Sequence, residues 1–148
     1  MQVIKVGSEL DITNLEEALS IARSGDTIRI MSGEYYVGAS IDYDITFESD
    51  NTKIPATIKG WLSVKDKKCI FKNLVFDGSS VDNNLIHASQ GSQLTVKDCL
   101  FKNVFNKPPI YIINSNINLQ GSRFLDMKTN AINASGTSVI NADDCEYQ

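Results

Sequence analysis

The chain has 148 residues, of which 42% are hydrophobic, and a formal net charge of −4 at pH 7. These values fit one globular domain and exclude disorder, collagen, a disulfide-rich mini-scaffold and a membrane-spanning chain. The negative charge argues against nucleic acid as a partner, and no segment indicates a membrane partner. The 17 Ile and 13 Asn residues favour many short strands joined by polar corners.

The first predicted elements are a strand over 2–6 and a helix over about 13–24. Thr13 and Glu16 have the spacing of a capping box, in which each side chain binds a backbone N–H of the other residue. Gly25 is placed to end the helix in the left-handed conformation. The apolar stripe of this helix consists of Leu15, Ala18, Leu19 and Ala22.

A repeat of 23–25 residues dominates the rest of the chain. Four segments align without gaps, and a fifth matches the first half of their pattern: CIFKNLVF (69–76), LTVKDCLF (94–101), INLQGSRF (117–124), INADDCEY (140–147) and ITFES (45–49). The inward apolar column contains Phe47, Phe71, Val96, Leu119 and Ala142. The turn column contains Ser49, Asn73, Asp98, Gly121 and Asp144. The aromatic column contains Phe76, Phe101, Phe124 and Tyr147.

This repeat predicts a solenoid in which each coil runs strand, sharp corner, strand. A third strand per coil is expected upstream of each segment, with an inward row formed by Ile30, Ile58, Ile86, Ile110 and Ile132. Leucine-rich repeats share the period but need a Leu and Asn consensus that this sequence lacks. We therefore predict an all-β fold, a right-handed parallel β-helix of about five coils with an N-terminal capping α-helix, over 1–148 as one domain, with coils from about residue 27.

The segment LEEALSIARSGDTIRIMSGEYY (15–36) resembles the opening module of the pectin lyase-like right-handed β-helix superfamily. The family pattern GDTI-x-I-x-x-G-x-Y is matched at Gly25, Asp26, Thr27, Ile28, Ile30, Gly33 and Tyr35. Ser32 stands where the family often has Pro. The resemblance implies that the helix caps the first coil, and it covers the whole chain, but it carries little information about chemistry.

Catalytic constellations of this superfamily are not matched in the sequence. A polygalacturonase-like site needs clustered Asp residues with Gly-His-Gly and Arg-x-Lys, yet Asp143 and Asp144 form the only Asp pair and no Gly-His-Gly accompanies them. The converging acidic and basic residues of a calcium-dependent lyase are absent, as is the methylesterase pattern. We predict no catalytic residue, no metal site and no cofactor.

One face of the predicted coils offers a candidate ligand groove. If the Ile row points inward, Lys59, His87, Tyr111 and Asn133 point outward, and Trp61 shares the face of Lys59. Aromatic rings suit the faces of sugar rings, and polar side chains suit hydroxyl groups, so a glycan is the favoured ligand. An ordinary solvated sheet face remains the alternative interpretation of these residues.

The three cysteines, Cys69, Cys99 and Cys145, lack metal-ligand spacing and are expected to be reduced, buried thiols. With no secretory signal pattern, they favour a cytoplasmic location.

The last coil has no polar cap, which predicts either continuation into a longer protein or an end-to-end homo-oligomer. Three functions stay open: a non-catalytic recognition or scaffold module for glycan or protein, the N-terminal portion of a carbohydrate-active enzyme, and a structural assembly element such as a tailspike or adhesin stem.

Overall fold

Short strands with alternating buried and exposed residues make up most of the chain, as a period of two requires. The computed structural model describes all 148 residues and forms a parallel β-helix of about six turns, so the predicted all-β solenoid is confirmed. Sheet A contains seven strands, which are, in spatial order, β1 (Val3–Val6), β2 (Asp26–Ile30), β4 (Ile45–Ser49), β6 (Lys68–Lys72), β9 (Gln93–Lys97), β12 (Asn116–Gln120) and β15 (Val139–Asp143). Sheet B contains nine strands, β3 (Glu34–Ile41), β5 (Thr57–Lys65), β7 (Val75–Asp77), β8 (Ile86–Ser89), β10 (Leu100–Val104), β11 (Ile110–Ile113), β13 (Arg123–Met127), β14 (Ile132–Ser135) and β16 (Glu146–Tyr147).

Sheet B divides into two branches after β5. The first half of β5 pairs with β7, which is followed by β10, β13 and β16, whereas the second half pairs with β8, which is followed by β11 and β14. Strands β3 and β5 each run without interruption along both branches and pair with each other over eight residues. Later coils break the same path with a loop, such as the one over 78–85, and therefore carry two short strands in its place.

The aromatic column forms a continuous row in the first branch, as predicted, in which the three Phe residues are buried and Tyr147 is exposed. Phe76, Phe101, Phe124 and Tyr147 are consecutive partners in register. The rings of Phe76 and Phe101 stack with centroids 4.8 Å apart, and those of Phe101 and Phe124 stack at 5.0 Å. Each such pair adds about 0.5–1.5 kcal/mol beyond the area it buries.

Three of the five positions in the predicted inward Ile row lie in register with one another. Ile86, Ile110 and Ile132 are partners in register, but Ile86 lies beside Leu62 and not beside Ile58. Ile58 instead pairs with Phe76 and extends the aromatic row. The fifth member, Ile30, belongs to β2 in sheet A. The error at Ile58 arises because the two halves of β5 pair with different strands and so belong to different rows.

The inward column of sheet A is confirmed as a register row through all five predicted positions, Phe47, Phe71, Val96, Leu119 and Ala142. Four of the predicted corner residues adopt the left-handed conformation, with φ between 53° and 58°: Asn73, Asp98, Gly121 and Asp144. Ser49 does not, because the chain leaves β4 through a longer connection over 50–56. The buried Ser49 hydroxyl donates to the carbonyl of Asn73 and accepts from the N–H of Ala56.

Helix α1 (Leu15–Ile21) begins one residue later than the predicted capping box implies. Asn14, not Thr13, is the N-cap, and its Oδ1 accepts from the N–H of Glu17 at 2.8 Å. The helix ends at Ile21 with Ala22 as its C-cap, so Gly25 lies beyond it, although the φ of Gly25, 89°, is left-handed as expected.

Leu15 and Ala18 of α1 are completely buried against the first coil, and the helix packs on β3 and β1. The helix therefore covers the sheet B side of this end, as the resemblance implies. The structure holds no helix with the length and apolar character needed to cross a membrane.

Candidate functional site

The outward face of β5, β8, β11 and β14 carries the predicted groove residues. His87, Tyr111 and Asn133 are consecutive partners in register, and Ser63 occupies the equivalent position on β5. Lys59, expected in this row, lies four residues before Ser63 and beside Tyr36 of β3. Because four is an even number, Lys59 also points outward, but it lies next to the half of β5 that pairs with β7 and not in the row of His87 that the sequence predicted.

Two adjoining hollows bring most of these side chains together. The first, of about 300 Å³, is lined by Trp61, Ser63, Asn83, Asn84, His87 and Tyr111. The second, of about 290 Å³, is lined by Tyr36, Lys59, Gly60, Trp61, Ser80, Val81, Asp82 and Asn83. Trp61 and Asn83 line both, and we call the combined surface the Trp61 groove. Asn133 continues the outward row but lines neither hollow.

The indole of Trp61 packs against β3 at Gly38, a position without a side chain. Gly38 of β3 is the register partner of Trp61, and a Cβ atom there would lie 2.8 Å from Nε1 and 3.0 Å from Cε2 of the indole. The glycine therefore leaves the space that the indole occupies. The result is a half-buried aromatic surface at the junction of the two hollows.

His87 and Tyr111 form an aromatic pair next to Trp61. Their ring centroids are 5.4 Å apart with an interplanar angle of 68°, an edge-to-face arrangement. Neither side chain has a protein hydrogen-bond partner of its own, so the imidazole nitrogens and the phenol hydroxyl are available to a ligand.

Opposite charges balance at the Lys59 end of the groove. Lys59 Nζ lies 2.9 Å from Glu34 Oε2 and 5.9 Å from the ring centroid of Tyr36. The hydrogen bond to Glu34 raises the pKa of Lys59. Burial opposes ionisation of the neighbouring Asp77, but hydrogen bonds from the Ser79 N–H and the Asn103 amide outweigh it and hold the pKa of Asp77 below its ordinary value.

The loop over 78–85 forms one rim of the groove and is anchored to the next coil. Asn84 Nδ2 donates to the carbonyl of Pro108 at 2.6 Å, and the N–H of Leu85 donates to the carbonyl of Pro109 at 2.7 Å. Sequence reasoning did not assign Ser63, Asn83 or Asn84 to the site. The only sequence feature that could have indicated the two asparagines is the polar run 82–84, shortly before β8.

No group of three or more His, Cys, Asp or Glu side chains is placed to hold a metal ion. Cys69 and Cys99 are buried as predicted, and burial raises the pKa of each thiol to about 12. Cys145 is only half-buried.

No family model matches the sequence, and no curated protein does. Among solved structures, the PL6 family alginate lyase AlyGC matches with a TM-score of 0.69 at 19% identity, over 84% of this chain and 20% of that one. An alginate lyase from Paenibacillus sp. str. FPU-7 matches with a TM-score of 0.41 at 10% identity, over 99% and 95% of the two chains. The match to AlyGC shows a shared fold, and this chain spans about a fifth of the length of that enzyme.

Proposed function

We propose that this chain, whose fold is that of the pectin lyase-like β-helix, is a non-catalytic recognition module that binds a glycan in the Trp61 groove. The observation that carries this proposal is the convergence of Trp61, His87 and Tyr111 on one hollow with Ser63 and two asparagines. Aromatic rings pack against the apolar face of a sugar ring, and neutral polar side chains form hydrogen bonds with its hydroxyl groups.

The shape of the groove supports an extended ligand. Stacked strands lie about 4.8 Å apart, and the groove residues come from four consecutive strands, β3, β5, β8 and β11. A chain molecule can therefore follow the solenoid axis and contact one coil after another. The neighbouring coils hold these strands rigid, so little conformational entropy is lost on binding.

The charges favour a neutral glycan over an anionic one. Lys59 is the only cation lining the groove, and Glu34 already pairs with it. Asp82 adds a negative charge on the rim. Each sugar unit of a polyuronate carries a carboxylate, and the groove has no unpaired cation to bind it.

Isothermal titration of the chain with neutral oligosaccharides and with oligouronates tests the proposal. We expect saturable binding of a neutral oligosaccharide and loss of that binding in the double variant Trp61→Ala, Tyr111→Ala. Phe105→Ala is the matched control, because Phe105 is an exposed aromatic residue outside the groove. Equal affinity of the double variant and the parent chain, or no binding of any glycan, would contradict the proposal.

A second candidate function rests on the shared fold with AlyGC, named as an alginate lyase. In this alternative the chain is part of a carbohydrate-active enzyme, with His87 and Tyr111 as the groups able to exchange protons with a substrate in the groove. Formation of new reducing ends from alginate, and its loss in His87→Asn and in Tyr111→Phe, would support the enzyme. Glycan binding without any chain cleavage would favour the recognition module.

A further inference from the structure

The ammonium group of Lys59 is held at a defined position in the second hollow of the Trp61 groove. Lys59 is the register partner of Tyr36, and Trp61 follows two residues later on the same outward face. Only 18% of the Lys59 side chain is exposed, so its stem is covered and the ammonium group has little freedom to move. A cation held in this way is a suitable partner for an anionic group of a ligand.

Glu34 supplies the anion that Lys59 binds in the protein itself. It lies two residues before Tyr36 on the outward face of β3, and its Oε2 is 2.9 Å from Lys59 Nζ. The Glu34 side chain is 59% exposed, so the ion pair, more than packing, decides where its carboxylate lies. Lys59 is therefore already paired, and its partner is a side chain at the surface.

Two other carboxylates lie near this ion pair. Continuing the register of β5 and β7 brings Asp77 beside Lys59. The Oδ1 atom of Asp77 accepts hydrogen bonds from the N–H of Ser79 at 2.9 Å and from the Asn103 amide at 3.3 Å, which hold this carboxylate in place. Asp82 lines the rim of the same hollow. Both add negative charge around Lys59.

We infer that Glu34 is the residue that selects neutral over acidic glycans, because its carboxylate takes the place at Lys59 that the carboxylate of an acidic sugar needs. The inference rests on the proposed function of the groove. An acidic sugar has to displace Glu34 to reach the cation, and it then faces Asp77 and Asp82 as well. A neutral sugar leaves the ion pair intact. Selectivity of this kind comes from disfavouring the wrong ligand and not from added contacts with the right one.

Isothermal titration with a defined acidic probe, hexagalacturonate, tests the role of Glu34. We expect Glu34→Gln to bind this probe about fivefold more tightly than the parent chain, since Lys59 is then free to bind a ligand carboxylate. The gain should disappear in the double variant Glu34→Gln, Lys59→Gln. A merely structural defect in Glu34→Gln would weaken binding of every glycan and could not produce a gain that depends on Lys59.

Two further variants separate the position of Glu34 from its charge. Glu48→Gln removes the carboxylate of the other ion pair, in which Glu48 Oε2 lies 2.9 Å from Arg29 Nε on sheet A, and should leave the affinity for the probe unchanged. Asp82→Asn removes a negative charge from the rim without freeing Lys59, so its gain should be smaller than that of Glu34→Gln. Equal gains in these two groove variants would identify net charge as the cause and overturn the inference.

Two other results would also overturn it: equal affinity of Glu34→Gln and the parent chain for hexagalacturonate, with no measurable binding by either included, or a gain that persists without Lys59. Failure of the proposed function looks different. If the parent chain binds no neutral oligosaccharide but Glu34→Gln shows the Lys59-dependent gain, the neutral-glycan function is wrong and the blocking of Lys59 by Glu34 stands. If the parent chain binds a neutral oligosaccharide and Glu34→Gln shows no gain, the proposed function stands and the inference is wrong.

Discussion

The indole of Trp61 lies against Gly38 on the neighbouring strand, in the space that a Cβ atom at position 38 would occupy. Replacement of Gly38 by Ala is therefore expected to displace the indole from its present position. The clash involves only a side chain, and Ala is a better strand residue than Gly, so the stability should change by less than about 1 kcal/mol.

Trp61 is the only tryptophan, and its fluorescence reports the change directly. Gly38→Ala should shift the emission maximum and weaken binding of any ligand of the Trp61 groove. Ser40→Ala, two residues further along the same outward face, is the control and should alter neither quantity. An unchanged emission spectrum in Gly38→Ala would show that the indole does not need the space at Gly38.

Gly60 is expected to tolerate no side chain at all. A Cβ atom there would lie 1.8 Å from the carbonyl oxygen of Val37, which is backbone and cannot move aside as a side chain can. Gly60→Ala should cost about 3 kcal/mol or more in the free energy of unfolding, or prevent folding. Urea denaturation checks this, with Gly38→Ala as the comparison in the same strand pair. A Gly60→Ala protein as stable as the parent would contradict the prediction.

The carboxylate of Asp26 joins the first strand to the first coil, and its contribution to stability should depend on pH. It accepts hydrogen bonds from the N–H groups of Arg23 at 2.8 Å and Gln2 at 3.0 Å, and these lower the pKa of Asp26 below the ordinary 3.8. A group with a lowered pKa in the folded state stabilises the fold fully above its unfolded pKa. That stabilisation is lost as the pH falls from 3.8 through the folded pKa.

Asp26→Asn should therefore be less stable than the parent at neutral pH, and the difference should shrink below about pH 4. Denaturant midpoints measured from pH 7 to pH 2 test this expectation. Asp50→Asn, at an exposed carboxylate without a side-chain hydrogen bond, is the control and should follow the parent curve. A stability difference that stays constant over this range would refute the role given to the Asp26 charge.

The three thiols should differ in reactivity. Burial raises the pKa of Cys69 and Cys99 to about 12 and keeps reagents away, whereas Cys145 is partly exposed in the last coil. Titration with a thiol reagent at neutral pH should detect one reactive cysteine in the folded protein and three in denaturant. Cys145→Ser should remove the reaction of the folded protein. Rapid labelling of Cys69 or Cys99 without denaturant would indicate that the coils open.

Periodicity predicted the stacked rows because each row is a local pattern repeated at nearly constant spacing. The aromatic row and the left-handed corners at Asn73, Asp98 and Gly121 follow from it directly. The pattern could not define the register of β5, since a shift by an even number of residues leaves every side chain on the same face. Ile58 and Leu62 were therefore indistinguishable until the paired strands were known.

The rim of the groove was beyond the reach of sequence reasoning for a different reason. Asn83 and Asn84 lie in a loop, where no periodicity relates one position to the next. The loop is held by carbonyl groups of the following coil, about 24 residues away: Pro108 accepts from the Asn84 amide, and Pro109 accepts from the N–H of Leu85. Ser49 similarly shares the column of the corner residues, but the longer connection after it removes the need for a left-handed backbone.

The near-identical corner conformations have a consequence for how such a chain can evolve. Asp98 and Gly121 have φ angles of 53° and 58°, and the residues that follow them, Cys99 and Ser122, occupy the same column. Excision of 99–121 would join Asp98 to Ser122 and so place a left-handed corner residue directly before a small residue, as at the existing corners of Asp98 and Gly121. A gene of this kind can therefore gain or lose one whole turn by recombination between neighbouring repeats, so its length changes in steps of about 23 residues while the cap remains in place.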